Sequence, residues 1–367
     1  MKNYLNFETE IKNLEIELDK LKDPYNQEGL SEVDTNKISN LQNEIDTKLK
    51  DVYSNLDPWQ TVLVARHEDR PKTKFFIDNL FENFTSLSGD RFYGEDKSVI
   101  CGFAKFHSKS VLVIGQEKGE NLEQRIERNF GMMRPEGYRK SIRLMKLANK
   151  FKIPVISFID TPGAYPGIGA EERGQAEAIA KSIECCMELT VPTISIIIGE
   201  GGSGGAIALA SSSKVLMLEN AIYSVISPEG CATILWRDPK KTLEASKAMK
   251  LSSKDLFDLK IIDEIISEPL GGAHRYKDLI LDNVRNSIKS NLDFFINMDK
   301  DEILSQRKNK FLSIGRGRGF ASSTNLADNL SMKTSFIDKV INNFLKYKNY
   351  LLISSLILIL IISFYLL

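Results

Sequence analysis

The feature that most constrains this chain is the stretch Gly199-Glu-Gly-Gly-Ser-Gly-Gly205, which holds five glycines in seven residues. It follows an apolar, β-branched run at 192–198 that predicts a buried strand. It leads into the run AIALA at 206–210, which predicts the first turns of a short helix. Glycines at such a junction leave peptide N–H groups uncovered, and a helix N-terminus adds partial positive charge. We therefore expect this turn to stabilise a negative charge or a developing oxyanion.

A second glycine-bearing turn, Asp160-Thr-Pro-Gly163-Ala164, follows an apolar strand predicted at 153–160. A helix is predicted at 171–189, between the two strands, and further strands and helices alternate on either side. This alternation predicts an α/β fold with a largely parallel sheet. Successive parallel strands place their carboxyl ends at one edge, so the two turns should lie together there. They would form paired anion pockets from backbone donors, unless the glycines serve only close helix–sheet packing.

Two other chemistries also fit the spacing of this stretch. Gly199-x-Gly201-x-x-Gly204, with Glu219 downstream, fits the dinucleotide fingerprint. The motif lies deep in the chain and the helix after it is short, which counts against that interpretation. Ser203 between glycines fits G-x-S-x-G, with Asp263 and His274 further on. A serine among glycines is often present only because it is small, and both alternatives stay open at this point.

The two ends of the chain differ from its centre. Apolar residues at helical spacing predict a helical hairpin over 1–57, and the N-terminus does not resemble a signal peptide. Residues 58–314 would form the main domain, and 315–349 have the composition of a linker with one short amphipathic helix. The last segment, 350–367, carries no charge and predicts an apolar helix of ~27 Å. It would tether the protein to a membrane, unless it is an apolar extension without function.

Composition restricts the classes of partner and cofactor. The chain has 49 basic and 49 acidic residues, so no overall field favours nucleic acid. Four cysteines contain no C-x-x-C pair and three histidines are widely scattered, so we expect no metal site in this chain. Nothing indicates disulfides, and the predicted compartment is the cytoplasm.

Several longer motifs are similar to one known family. They are NFGM (129–132), PEGYRK (135–140), SFIDTPGAYPG (157–167), EERGQ (171–175), IGEGGSGGA (198–206), YSVISPEGC (223–231) and EPLGGAHR (268–275). Together they resemble the carboxyltransferase alpha subunit of bacterial-type, multisubunit acetyl-CoA carboxylase. The resemblance extends over about residues 4–316.

The resemblance implies a crotonase-like (ClpP/crotonase) fold and transfer of a carboxyl group from carboxybiotin to acetyl-CoA. The product would be malonyl-CoA, in the first committed step of fatty acid synthesis. The biotin would be carried by a separate carrier protein and charged by a separate biotin carboxylase. No cofactor would be covalently bound to this chain. A homologous beta subunit, with the only zinc of the assembly, would complete an α2β2 enzyme.

The resemblance also implies roles for particular residues. The peptide N–H groups of Gly204 and Gly205 would form the catalytic oxyanion hole, and Gly163, Ala164, Gly201 and Gly202 would line the substrate or biotin site. Apart from the resemblance, five basic residues would either contact CoA phosphates or the carrier, or form a solvated or partner-facing surface, which is the interpretation we favour: Arg125, Arg128, Arg134, Arg139 and Lys140. The alternatives are carboxylation of another acyl-CoA, or a membrane-attached scaffold of the same fold without catalysis.

Overall fold

A computed structural model describes residues 3–22 and 35–316 of the chain. These residues form one mixed sheet of eight strands. The strands are β1 Glu82–Ser86, β2 Val99–Phe106, β3 Lys109–Gln116, β4 Val155–Thr161, β5 Thr193–Gly202, β6 Lys214–Leu218, β7 Ile222–Ser224 and β8 Glu264–Ile266.

The order of the strands brings the glycine-bearing segments to one edge. The main path runs β1-β2-β3-β4-β5-β6-β8, and β7 pairs with β5. The pairs β1–β2 and β2–β3 are antiparallel, whereas the pairs β3–β4, β4–β5, β5–β6 and β6–β8 are parallel. The largely parallel sheet predicted from the alternation of elements is confirmed. Because β3, β4 and β5 are parallel neighbours, their carboxyl ends lie side by side.

Helices cover the sheet, and their starts follow local sequence signals. Asp57 caps one of them by accepting from the N–H groups of Trp59 and Gln60 at 2.8 Å each, as an aspartate before a proline-led helix predicts. The helices are α1 Thr9–Lys22, α2 Thr35–Ser54, α3 Pro58–Ala65, α4 Thr73–Leu80, α5 Leu122–Glu127, α6 Pro135–Lys150, α7 Ile168–Glu172, α8 Gln175–Glu188, α9 Ser203–Ala210, α10 Pro228–Trp236, α11 Thr242–Met249, α12 Ser253–Asp258, α13 Lys277–Phe294 and α14 Lys300–Ser313.

The N-terminal helices α1 and α2 have an apolar cluster of their own. The predicted helical faces meet, and the buried members are Ile11, Leu18, Leu41, Ile45 and Leu49. Arg275, from the loop before α13, joins this hairpin to the main body. Its guanidinium lies 2.8 Å from Glu8 Oε1 and 2.7 Å from Glu15 Oε1.

Helix α14 is attached by a buried arginine. Arg307 is 0% exposed and donates to the carbonyls of Cys186, Leu189 and Val191 and to Ser213 Oγ. Burial lowers its pKa to about 10, so the guanidinium keeps its charge at neutral pH. Two of these carbonyls lie at the end of α8, where the helix dipole is negative, and this compensates the buried cation.

One predicted helix differs from the structure. The single helix expected over 171–189 is two helices, α7 and α8, separated by Gly174 in the left-handed region with φ 79°. The break is stabilised from outside, because Arg139 Nη2 donates to the Arg173 carbonyl at 2.6 Å. The helical periodicity does not reveal this tertiary contact.

The described part of the chain contains no helix that is both long and apolar enough to cross a bilayer. The segment 350–367 and nearly all of the linker predicted at 315–349 lie outside the described residues. The apolar C-terminal helix and its contact with a membrane therefore stay predictions.

Candidate active site

The glycine-rich stretch is more regular than its sequence predicts. Strand β5 does not end at Ile198 but continues through Gly202, and α9 begins at Ser203. Gly201 pairs with Thr161 of β4 on one side and with Tyr223 of β7 on the other. The turn predicted over 199–205 is therefore wrong for residues 199–202, which belong to β5. The neighbouring strands β4 and β7 supply the hydrogen bonds that hold these glycines extended.

The two glycine-bearing segments touch each other, as their positions on adjacent strands predict. A Cβ placed on Gly202 would overlap the Pro162 carbonyl oxygen. A Cβ on Gly205 would lie 2.6 Å from the carbonyl carbon and oxygen of Gly163, and 3.0 Å from the Ala164 nitrogen. At both positions only glycine allows the backbones to approach this closely.

Thr161 fixes the shape of the shorter turn. Its hydroxyl donates to the Gly163 carbonyl at 2.7 Å and accepts from the Gly163 N–H at 3.2 Å. The Gly163 N–H therefore already has a partner inside the turn. This leaves Gly163 as a packing partner of Gly205 rather than a free donor.

Helix α9 presents its first peptide N–H groups without a capping side chain. Its N-cap residue is Gly202, and no side chain among the described residues caps it. The N–H groups of the first helical turn lack intrahelical acceptors, and here they belong to Ser203, Gly204 and Gly205. Ser203 has φ 49°, a left-handed value that turns the chain sharply out of the strand. The result is a short row of donors at a positive helix end.

This row of donors borders a large apolar cavity. Ser203 and Gly204 line a cavity of 830 Å³, whereas Gly205 is not among its lining residues. The remaining lining is mostly apolar and comes from α9, β7, α10, α11 and α12 and the segments beside them. Tyr223 is the aromatic member, and burial raises the pKa of its hydroxyl to about 12, so it stays neutral. The cavity can hold an organic group next to a site for negative charge.

Near the carboxyl ends of β3, β4 and β5 lies a group of mostly buried charges that sequence reasoning missed. Lys118 Nζ is 2.8 Å from Asp160 Oδ1 and 3.4 Å from Glu200 Oε2. Arg66 approaches Glu200 and Glu229 at 2.6 Å each. Burial opposes ionisation of Glu200, but Lys118 and Arg66 more than offset it and lower the pKa of this carboxyl. The sequence offered two signals of this group: Asp160 directly after an apolar run, and Glu200 inside the glycine-rich stretch.

A second contact missed from sequence joins β3 to α9. The amide of Gln116, at the end of β3, donates to the Gly205 carbonyl at 2.7 Å. The side chain is fully buried. Because a buried amide needs partners, this bond favours one placement of the first turn of α9.

The side chains that dinucleotide binding and serine hydrolysis would need are not gathered around the glycine-rich stretch. Glu219, expected to contact a ribose, accepts from the Glu268 N–H at 3.1 Å. Asp263 forms an ion pair with Lys310, and neither ring nitrogen of His274 has a hydrogen bond. No histidine of the described residues lines the cavity next to Ser203. The dinucleotide and serine-hydrolase arrangements are therefore not assembled.

The five basic residues predicted to form one surface differ in their surroundings. Lys140 is 2% exposed and donates to the carbonyls of Asp96 at 2.9 Å and Val99 at 2.8 Å. Its assignment to a solvated or partner-facing surface is wrong, because the ammonium group is needed to satisfy these buried carbonyls. Arg128 donates to a surface carbonyl, and Arg134 lies 4.7 Å from the Tyr165 ring centre.

No cluster of three or more His, Cys, Asp or Glu side chains within 3–22 and 35–316 is arranged to hold a metal ion.

The sequence is similar to one family along most of its length. The family model described as "Acetyl co-enzyme A carboxylase carboxyltransferase-like" matches residues 4–315. A Pelagibacter ubique protein named acetyl-coenzyme A carboxylase carboxyl transferase subunit alpha is 78% identical over 348 residues, which cover 95% of each chain. A Brucella ovis protein of the same name is 50% identical over 316 residues, covering 86% of this chain and 99% of the relative.

Solved structures share the fold at low sequence identity. The transcarboxylase 12S crystal structure with methylmalonyl-coenzyme A bound has a TM-score of 0.51 at 17% identity, and the match covers 63% of this chain and 44% of that one. The chain thus spans less than half of the transcarboxylase polypeptide. A Pseudomonas malonate decarboxylase hetero-tetramer with coenzyme A gives 0.50 at 15% identity, covering 60% of this chain and 89% of that one. These likenesses confirm the predicted α/β, crotonase-like fold.

Proposed function

The chain belongs to the acetyl-CoA carboxylase carboxyltransferase family, as an alpha subunit, and on that basis we propose that the start of α9 is its oxyanion hole. It is an enzyme subunit, and its activity is the carboxyl transfer that gives malonyl-CoA. In our proposal the Gly204 N–H, assisted by that of Gly205, stabilises an oxygen that becomes negative during the transfer. Losing one such donor typically costs ~3 kcal/mol of barrier.

One observation carries this proposal: an uncapped helix N-terminus opens onto an apolar cavity of 830 Å³. Backbone donors that already point at the place where the charge develops stabilise an anion without reorganisation. Gly204 lines the cavity, whereas Gly205 is buried against Gly163. We therefore assign Gly204 the direct contact and Gly205 a supporting one.

The neighbouring glycines have a different part in the proposal. Gly201 and Gly202 extend β5 to the edge of the site, and Gly163 and Ala164 form the facing turn. We propose that these four line the place where the substrate or the biotin group binds. The engaged N–H of Gly163 makes Ala164 the better donor of that turn.

We further propose how the chain obtains its substrates. Carboxybiotin on a carrier protein, charged by a biotin carboxylase, donates the carboxyl group, and acetyl-CoA accepts it. The uncapped α9 and the cavity fit an uncharged ring system with a polarised oxygen. A beta subunit completes the site in an α2β2 assembly and holds the zinc, and the complex works in the cytoplasm. The division at residue 57 is supported by the separate apolar cluster of the hairpin.

A matched pair of substitutions at Gly204 tests the oxyanion hole. Gly204→Pro removes the N–H, and the first turn of a helix tolerates proline. Gly204→Ala keeps the N–H, and its Cβ would meet Ile179 Cδ1 at 3.5 Å, an ordinary contact distance. We expect Gly204→Pro to lower malonyl-CoA formation by ~100-fold or more in the enzyme reconstituted with its beta partner. Gly204→Ala should stay within a few-fold of the native rate.

Circular dichroism and co-elution with the beta partner establish that both variants fold and assemble. Native turnover in Gly204→Pro would rule out this donor. Equal losses in both variants would assign the effect to bulk at this position rather than to the missing N–H.

Membrane contact through 350–367 is a separate proposal, based on an uncharged segment long enough for a bilayer core. It predicts that the full chain co-sediments with membranes, whereas a chain ending at Gly319 stays in the supernatant. Equal distribution of the two chains would end this proposal.

A further inference from the structure

Three adjacent strands each bring one charged residue to the same edge of the sheet. Lys118 follows the end of β3 by two residues, Asp160 is the penultimate residue of β4, and Glu200 lies in β5. Because these strands are parallel neighbours, the three side chains meet. Lys118 Nζ lies 2.8 Å from Asp160 and 3.4 Å from Glu200, and we call this group the lysine clamp.

Each carboxylate of the lysine clamp belongs to a different glycine-bearing segment. Asp160 directly precedes Thr161, Pro162 and Gly163, whereas Glu200 precedes the glycines that lead to Ser203. The two segments are also linked directly, since the Glu200 N–H donates to Asp160 Oδ1 at 3.0 Å. A Cβ on Gly199 would lie 2.6 Å from that same oxygen. Movement of the Asp160 carboxylate would therefore shift both backbones.

The clamp is buried, so its charge balance matters. The side chain of Lys118 is 16% exposed, and those of Asp160 and Glu200 are each 8% exposed. Two carboxylates this close in a poorly solvated place repel each other unless a cation lies between them. Arg66 contacts Glu200 from the other side. Among the described residues, Lys118 is the cation that contacts both carboxylates.

We propose that Lys118 is a positioning residue for carboxyl transfer, which acts by holding the two glycine-bearing segments at the spacing the site requires. Without the ammonium group, repulsion between Asp160 and Glu200 separates the ends of β4 and β5. The N–H groups at the start of α9 then no longer point at the reacting oxygen with hydrogen-bond geometry. This inference rests on the proposed oxyanion hole, but it assigns a positioning role to a side chain that lies outside that hole.

The experiment compares three variants of the full chain, each in the reconstituted enzyme with its beta partner. Lys118→Met keeps the length of the side chain and removes the charge. Lys118→Arg keeps the charge, and a cavity of 180 Å³ beside Lys118 leaves room for the guanidinium. Lys310→Met removes another largely buried lysine–aspartate pair, with Asp263, away from the glycine segments. It serves as the control for loss of a buried ion pair.

We expect kcat of Lys118→Met to fall by ~10- to 100-fold with KM for the acyl-CoA within ~3-fold, because misplaced groups lose rate rather than binding. Lys118→Arg should keep at least ~one-third of the native kcat. Lys310→Met should lower stability but leave kcat near native. Hydrogen exchange of the peptides 157–166 and 199–206 should become faster in Lys118→Met but not in Lys310→Met.

A native kcat in Lys118→Met, a loss that appears in KM instead, or an equal loss of kcat in Lys310→Met would overturn the positioning role. The experiments distinguish failure of the lysine clamp from failure of the oxyanion hole. If Gly204→Pro is inactive and Lys118→Met has full kcat, only the clamp is wrong. If Gly204→Pro is fully active, the oxyanion hole is wrong whatever Lys118→Met does.

Discussion

Neighbouring glycines of the site have different physical reasons to be glycine. Gly204 borders the cavity and has room for a methyl group toward Ile179. Gly205 lies against the peptide of Gly163, which leaves no such room. A substitution at Gly205 therefore tests backbone packing, whereas one at Gly204 tests the donor.

This difference predicts opposite effects on stability. Gly205→Ala should lower the free energy of unfolding by about 1–3 kcal/mol, because its Cβ would lie 2.6 Å from backbone atoms that cannot rotate away. Gly204→Ala should leave stability unchanged or slightly higher, since alanine favours a helix over glycine. Urea unfolding of the two variants beside the native chain measures both. A Gly205→Ala variant as stable as the native chain would contradict the close approach of the two segments.

At the scale of elements, periodicity and turn signals predict what depends on local sequence. Such signals account for β2, which is an apolar run over 99–106, and for the start of α10, where Ser227 caps the helix before Pro228, because both depend on neighbouring residues alone. They also place the two glycine-bearing segments at one edge, since parallel order fixes which strand ends are neighbours.

Other elements depend on partners distant in the chain. Strand β5 continues through its glycines because β4 and β7 bond to both of its edges. The guanidinium of Arg307 is fully buried only because the end of α8 and Ser213 offer acceptors. The lysine clamp likewise joins residues up to 82 positions apart. Sequence spacing alone cannot show such contacts, so the site was predicted as backbone donors without the side chains that hold them.

At the scale of the whole molecule, two histidines connect the N-terminal segment, the end of α3 and the loop before α13. The rings of His67 and His274 stack with centroids 3.9 Å apart and an angle of 14°. His67 Nδ1 accepts from the Asp69 N–H at 3.1 Å, so the ring proton is on Nε2, 3.2 Å from the Asn3 carbonyl. This pairing requires neutral rings.

Burial and nearby cations disfavour protonation of this pair. Burial, then the charges of His67, Arg70, Arg275 and Lys277, lowers the pKa of His274 to about 2. Burial also lowers the pKa of His67, although its bond to Asn3 opposes the shift. In the unfolded chain both return to ~6.5. Below that pH the unfolded state binds more protons than the folded state, so stability is intact above pH ~7 and is lost as the pH falls toward 5.

We therefore predict that His274→Phe reduces the acid sensitivity of the fold. Phenylalanine keeps a flat ring against His67 but binds no proton. Between pH 7.5 and pH 5 the native chain should lose about 1–2 kcal/mol more unfolding free energy than the variant, a value discounted for partial solvent access. Urea unfolding at the two pH values measures the difference. His107→Asn, at the exposed turn between β2 and β3 with φ 44°, is the matched control and should behave like the native chain. If His274→Phe loses as much stability as the native chain, the acid sensitivity arises from the carboxylates elsewhere in the molecule, and the stacked pair only packs.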